Sequence, residues 1–447
     1  MFAVMKHIIC LLTLVVVTAS TMNAQQPAVA AGPMIGHVDM REALLWVQTT
    51  QAVPVRISYA DSAQPAIRHS TPVQTGSASS LYAMTFRLDK VEPGRTYAYE
   101  VIVDGKTQKF AYPTTFRTQP VWKWRKQDPP SATLAIGSCF YINEDGYERS
   151  GGGYGSDYEI MSALHAKRPD AMLWLGDNVY LREPDWNSRA GIYKRYSHTR
   201  AVAELQPLLA STAHYAIWDD HDFGPNDSDR SWWGKADALQ VFKDFWPNPS
   251  YGIADKSGIT TSFSLIDVDV FMLDDRYYRS ANNRKDGERT ILGEHQIQWL
   301  MDALSSSTAT FKIVAVGSQF LTDNLRKECF ARMPQERQRI IDLITQNEIK
   351  GVMFVTGDIH AAELSKLDRP GTYPLYEFTS SSLTAGANKD IEQQSNTFRV
   401  PGTAVGKHNF GLITVSGPAK QRVLTLAVHD KDGNQVWRRE IREDELR

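Results

Sequence analysis

Four short apolar runs in this chain each break off into a polar tip of the same chemical kind. Leu134-Ala135-Ile136 leads into Gly137-Ser138-Cys139, and Leu173-Trp174-Leu175 into Gly176-Asp177-Asn178-Val179-Tyr180. Trp218-Asp219-Asp220-His221-Asp222 closes a third run, and Thr356-Gly357-Asp358-Ile359-His360 a fourth. Short apolar runs bounded by turn residues read as buried strands. Their tips carry metal-type ligands, and in open α/β sheets a site forms in the crevice outside the carboxyl ends of the strands. The pattern points to an α/β sandwich with a two-metal site gathered at one sheet edge.

The rest of the chain fits that frame. From Ser131 onward strands alternate with helices. Strands are predicted over 134–136, 171–175 and 214–218, and helices over 158–167, 192–209 and 232–245. A hairpin follows at 261–266 and 268–273, then helices over 293–305 and 334–347 around strands 312–316 and 352–355, and a β tail at 411–415 and 423–428. This predicts a catalytic unit over 131–440, a four-layer α+β double-sheet sandwich flanked by helices. Residues 32–118 instead show short alternating strands with turns between them, the signature of a small all-β sandwich. Glu92-Pro93-Gly94 followed by Thr96-Tyr97-Ala98-Tyr99 resembles the corner of a fibronectin type III-like domain. Residues 121–130, charged, aromatic and ending in Pro129-Pro130, read as the linker.

Lys6 and His7 precede an apolar run from Ile8 to Val17, with small or polar residues up to Ala24. That layout predicts a secretory signal peptide over 1–24 and a secreted or periplasmic protein. The run is shorter than the roughly 20 apolar residues a membrane span needs, and no later stretch is a candidate span. Cleavage would leave two cysteines, Cys139 and Cys329, which either pair or remain free. A formal net charge of −2 gives no basic field for nucleic acid.

Hydrolysis of a phosphate ester needs two close cations to activate a water, hold the phosphoryl oxygens and neutralise charge. Asp177 can bridge such a pair. Tyr180 reaches the same ion as a phenolate only if that ion is hard and trivalent, because free tyrosine ionises near pH ~10. Cys139 and His360 complete one shell, with an inert buried thiol as the alternative for Cys139. Asp220 and Asp358 suit a second, hard cation such as calcium or magnesium. His221 is placed to protonate a leaving oxygen, and Arg276 to grip phosphate bidentately. Asp219 and Asp222 read as orienting neighbours, Asp222 for His221.

Together the four tips, in this order, resemble the PhoD-like (alkaline phosphatase D) family of calcineurin-type metallophosphoesterases. Phe271-Met272-Leu273-Asp274-Asp275-Arg276-Tyr277-Tyr278-Arg279, Leu292 to Leu300 and His408-Asn409-Phe410-Gly411 support it. The resemblance implies a phosphomonoesterase or phosphodiesterase acting best at alkaline pH. It implies one ion on Cys139, Asp177, Tyr180 and His360, and a second on Asp177, Asp220 and Asp358. It implies ferric iron with calcium, another divalent pair such as manganese or zinc being the alternative. Gly317-Ser318-Gln319 stands where many superfamily members carry a further histidine ligand, which disfavours a soft second metal. No Arg-Arg pair precedes the apolar run, unlike family members exported folded with their metal.

Two other functions fit the sequence. A phospholipase D-type activity on lipid head groups needs an apolar rim at the site. A non-enzymatic surface or adhesion module, prompted by the fibronectin-like start, needs none of the strand-end ligands. Asn226 reads as a turn residue or an extra calcium ligand, and Gln319 and Asn409 are open as contributors. Gly151-Gly152-Gly153 lacks the Gly-Lys-Ser/Thr ending of a phosphate-binding loop and reads as a loop near the site mouth. Trp232, Trp233, Phe245 and Trp246 are spaced as a buried helix face.

Overall fold

The computed structural model describes residues 28–148 and 153–447. The leader reading and Gly151-Gly152 lie outside the described residues. The N-terminal region builds two antiparallel sheets. One orders Val29–Val38, Ala43–Thr49 and Ala83–Leu88; the other is centred on Pro54–Asp61 and Thr96–Val103. Alternation along these strands sends Leu45, Val47, Ile57, Phe86, Tyr99 and Val101 into a private core. Met34 and Trp46 point the other way, into the large core of the α/β region. Trp46 Nε1 donates to the Asp244 carbonyl at 2.8 Å and Tyr99 Oη to that of Ala210 at 2.8 Å, so polar tips latch the two regions together. At the anticipated corner, the Glu92 amide donates to Tyr97 Oη at 2.7 Å.

Two six-stranded sheets make up the remainder. The first orders Ala213–Ile217, Ala171–Leu175, Ala132–Gly137, Asn409–Ser416, Val423–Asp430 and Gln435–Arg442. The second orders Thr261–Leu265, Val268–Met272, Phe311–Ala315, Val352–Thr356, Leu375–Thr379 and Glu363–Leu367. In the first, the parallel register sets Leu134 beside Ala171 and Ala171 beside Ala213. The three tips are therefore level, and the parallel strands of the second sheet bring theirs to the same edge.

The tips abut closely enough to dictate glycine. A Cβ on Gly317 of the second sheet would lie 2.7 Å from Asp219 Cγ of the first. Gly176 adopts φ +91°, and a Cβ there would lie 2.6 Å from Asp219 Cβ, so conformation and space both exclude a side chain.

Several expectations shift. The helix predicted over 192–209 is broken into Arg189–Arg200, a 3₁₀ turn and Gln206–Ser211, because Pro207 can only open a helix. The helix predicted over 232–245 starts at Lys235, which leaves Trp232 and Trp233 on the preceding loop. Trp233 is 64% exposed and is no part of a buried face. Glu363–Leu367, Leu375–Thr379 and Gln435–Arg442 are strands that the sequence did not announce. The first two carry buried Glu363 and Glu377, and the last is charged at half of its positions, so the apolar pattern is missing.

Candidate metal centre

Each expected ligand sits two to five residues past a strand end, where the chain must leave the sheet at once. Cys139, Asp177, Asp358 and His360 all adopt left-handed backbone, at φ 59°, 51°, 65° and 57°. For a residue with a Cβ this conformation costs on the order of 1–2 kcal/mol. Such strain persists where surrounding structure enforces it, and it gathers at functional sites.

The side chains of Cys139, Asp177, Tyr180 and His360 converge. Tyr180 Oη donates to Asp177 Oδ2 at 3.0 Å, and Cys139 Sγ lies 3.5 Å from the same oxygen. Tyr180 Oη is 3.3 Å from His360 Nε2. His360 Nδ1 lies 2.7 Å from the Gly386 carbonyl, which can only accept. The proton is thereby assigned to Nδ1, and Nε2 keeps a lone pair facing Asp177 and Tyr180. Beneath them Ser381 Oγ donates to Cys139 Sγ at 3.1 Å and accepts the His360 amide at 2.9 Å.

Donor atoms of Cys139, Asp177 and His360 lie within 4.8 Å of one another. Those of Asp177, Asp220 and His221 form a second such group, and those of Asp220, Asp227 and Glu328 a third. Asp177 belongs to the first two groups, as a bridging ligand must. Asp358 joins none of the three; its Oδ1 is 3.6 Å from Lys327 Nζ, and its buried Oδ2 has no hydrogen-bond partner. The His221 ring packs on Tyr180 with centroids 4.3 Å apart, and its amide lies 3.4 Å from Asp177 Oδ1.

The electrostatics are those of buried acids crowded together. Burial first, then the neighbouring Cys139, Asp220, Asp358 and Asp222, pushes the Asp177 carboxyl well above the usual carboxylate range. Burial and Asp177 push the Tyr180 phenol up, and burial and Asp358 push the Cys139 thiol up. Burial presses on Asp220 as well, but His221 and Arg276 outweigh it and hold that carboxyl low. A cation reverses this logic, since bound metal favours thiolate and carboxylate. The donor set of thiolate, phenolate, imidazole and shared carboxylate, with the partnerless Asp358 oxygen beside it, therefore fits metal ions.

Some expectations need correcting. Arg276 is wholly buried, and its guanidinium is committed to Asp219 and to Glu328 Oε2 at 2.5 Å, with Asp275 at 3.8 Å. No part of it faces the crevice, so it does not offer the expected grip on phosphate. Arg279, also buried, pairs with Glu328 at 2.9 Å. The Asp222 oxygens accept the Asn178 and Asp219 amides, each at 3.0 Å, and knit two tips together. Asn226 is an exposed turn residue bonded to Asp227. Gln319 is buried between Glu363 and Thr379. Asn409 accepts from Ser380 Oγ at 3.0 Å and so braces the serine loop beneath Cys139. Cys139 and Cys329 are both free.

Lys327, Glu328 and Ser381 were not foreseen. Ser381 follows the unannounced strand Leu375–Thr379, whose tip obeys the same rule as the other four. Lys327 and Glu328 come from a loop with no periodic signal and meet the site only through tertiary packing. The exposed ammonium of Lys327 is held strongly protonated by Asp358, with Cys139, Asp177 and Asp220 adding to the effect.

A family model described as PhoD-like phosphatase matches residues 134–413, and one described as a domain of unknown function (DUF7800) matches residues 26–121. Alkaline phosphatase D of Bacillus subtilis (strain 168) is 24% identical over 393 residues, covering 76% of this chain and 64% of that protein's length. The chain thus spans somewhat under two thirds of that relative. A solved structure of PhoD shares the fold with a TM-score of 0.73 at 20% identity, over 92% of each chain. The purple acid phosphatase PPD1 from yellow lupin (Lupinus luteus) seeds shares it with a TM-score of 0.63 at 12% identity, over 93% of this chain and 74% of that one. With most of its α/β region inside the first match, this chain belongs to the PhoD-like phosphatase family.

Proposed function

We propose that the chain is an exported metal-dependent phosphoesterase that hydrolyses small phosphate esters, mono- or diesters, at the strand-tip crevice. The observation that carries this reading is the convergence of two donor groups on Asp177, beside an Asp358 oxygen with no protein partner. Cys139, Asp177, Tyr180 and His360 would hold one ion, read as ferric iron, and Asp177, Asp220 and Asp358 the other, read as calcium. Two such ions supply water activation and charge neutralisation.

The chain's own groups supply the rest. His221, partly exposed and packed at a tilt against Tyr180, carries a ring at the crevice edge for proton transfer to the leaving oxygen. Lys327, half-exposed beside Asp358, takes over the phosphate contact first expected of Arg276. Arg276 is a positioning residue: it fixes Asp219, the neighbour of Asp220 in the chain. Residues 32–118 would be a separate β unit that braces the catalytic unit over 131–440.

The test is kinetic and spectroscopic. His221→Ala is expected to lower kcat by about 10²–10⁴-fold on poor leaving groups and by far less on a nitrophenyl ester. Metal analysis should find iron, with a visible band that Tyr180→Phe shifts or bleaches. Full activity in a colourless, zinc-only protein would refute the iron assignment. An equal loss on both leaving groups would assign His221 to holding the tips.

A further inference from the structure

A cavity of about 470 Å³ opens at the seam between the β domain and the α/β core, at the far end of the strands from the metal candidates. Ala132, Ala171 and Ala213, the first residues of three parallel strands, all line it. Those strands are five or six residues long, roughly 17–20 Å at about 3.3 Å per residue, and Cys139, Asp177 and Asp220 lie beyond their other ends. Ala171 and Ala213 are paired across the sheet, so small side chains sit side by side and leave the space open.

The floor is apolar: Ile35, Val38 and Phe116 from the β domain, Tyr215 and Ile266 from the core, all buried. The rim is cationic. Arg117 comes from the last β-domain strand and Arg168 from the turn after the helix Glu159–Ala166; His165, in that helix's last turn, is made less basic by burial and by Arg168. Asp170 is the one carboxylate on the wall, and its Oδ2 already accepts the Thr133 amide at 2.8 Å. Among the described residues neither the Arg117 nor the Arg168 guanidinium takes part in an ion pair or a side-chain hydrogen bond, unlike the buried Arg276 and Arg279, although the charge of Arg117 is felt by Asp170. An apolar floor under two uncommitted guanidinium groups, in a volume typical of small-molecule sites, selects an apolar body with one acid group.

We propose that this seam is a second binding site, for a small amphipathic anion whose acid group is held by Arg117 and Arg168. The ligand would touch both domains and clamp them together. It would leave the metal crevice untouched, so the inference stands independently of the catalytic reading.

The probe is 8-anilino-1-naphthalenesulfonate, with N-phenyl-1-naphthylamine as the same ring body without the acid. Fluorescence titration of the full chain is expected to show one saturable equivalent of the sulfonate, bound at least about tenfold tighter than the amine. Arg117→Gln with Arg168→Gln should weaken the sulfonate about tenfold or more and leave the amine unchanged, with ester hydrolysis unaltered. Ala213→Leu, which fills the floor, should weaken both dyes. Unsaturable sulfonate binding, equal affinity for the two dyes, or a sulfonate affinity untouched by the double arginine variant would each overturn the proposal.

Discussion

The two sheets meet the crevice with opposite treatments of buried charge. On the second sheet's side, Arg276 and Arg279 are wholly buried, yet Asp219, Asp275 and Glu328 surround them. Each buried cation there has a carboxylate of the protein within ion-pair distance, although Asp219 Oδ2, Asp275 Oδ1, Arg276 Nη2 and Arg279 Nε find no hydrogen-bond partner. On the first sheet's side, Cys139, Asp177 and Tyr180 crowd together with burial and like charge against them, and among the described residues no arginine forms an ion pair with Asp177. Burying ionised groups without compensation is too costly to persist for nothing. The first arrangement is what a structural network looks like, and the second is what a site for a cation looks like. Exposure alone would not separate them, because both are buried.

Paired substitutions would sharpen that difference, and the largest effect belongs to Asp177. Asp177→Asn should cut kcat/KM on the order of 10³-fold, since one ligand shared by both ions is lost. The same change should leave the metal-free chain at least as stable in denaturant, because a carboxyl that burial disfavours has been replaced by a neutral amide. A large drop in metal-free stability would break the comparison. Arg276→Ala should do the reverse. It leaves Asp219 and Glu328 buried without their partner and should cost about 3–5 kcal/mol of unfolding free energy. Wild-type stability in Arg276→Ala, with lost affinity for phosphate, would return that residue to the role first expected of it.

A third way to bury a titratable group is to keep it neutral, and His214 does so. Trp174 Nε1 donates to its Nδ1 at 2.9 Å, and its Nε2 lies 3.2 Å from the Leu208 carbonyl, so the ring is fixed as the Nε2–H tautomer. Burial lowers its pKa to about 3 from 6.5. The unfolded chain therefore takes up a proton that the folded chain refuses. Stability is fully present above pH 6.5 and is lost as pH falls toward 3. Between pH 6.5 and 5 the loss from this residue is about 2 kcal/mol, and a wild-type minus His214→Gln difference in urea unfolding across that range should show it. A flat difference would mean that the ring is solvated. The smallest effect is expected at Lys327, which is exposed and screened. Lys327→Gln should cost about tenfold in kcat/KM, roughly 1.4 kcal/mol, with Lys327→Arg recovering part of it. An unchanged kcat/KM would leave the lysine as a surface partner of Asp358 alone.

The strands that end in Cys139, Asp177, Asp220 and Asp358 were legible because a strand buried in a sandwich must be apolar throughout, and its ligands must come just after it. Position along the chain therefore encoded position in space. Leu375–Thr379 escaped because Glu377, satisfied by the Phe320 and Leu321 amides at 2.7 and 2.8 Å, interrupts the apolar run. Ser381 beneath Cys139 was lost with it.

The sequence by itself determined the β domain followed by an α/β sandwich, the edge on which the chemistry gathers, and the residue types that gather there. Those are properties of local pattern: period, turn chemistry and the side chain at each tip. Only the tertiary structure decided which charges find partners. Arg276 looked like a hand for phosphate because its place after a strand is visible in the chain, while the Glu328 that occupies it comes from a loop more than fifty residues later. Lys327 looked like nothing and stands at the crevice. Charge compensation is a long-range sum over neighbours in space, and a linear pattern does not contain those neighbours.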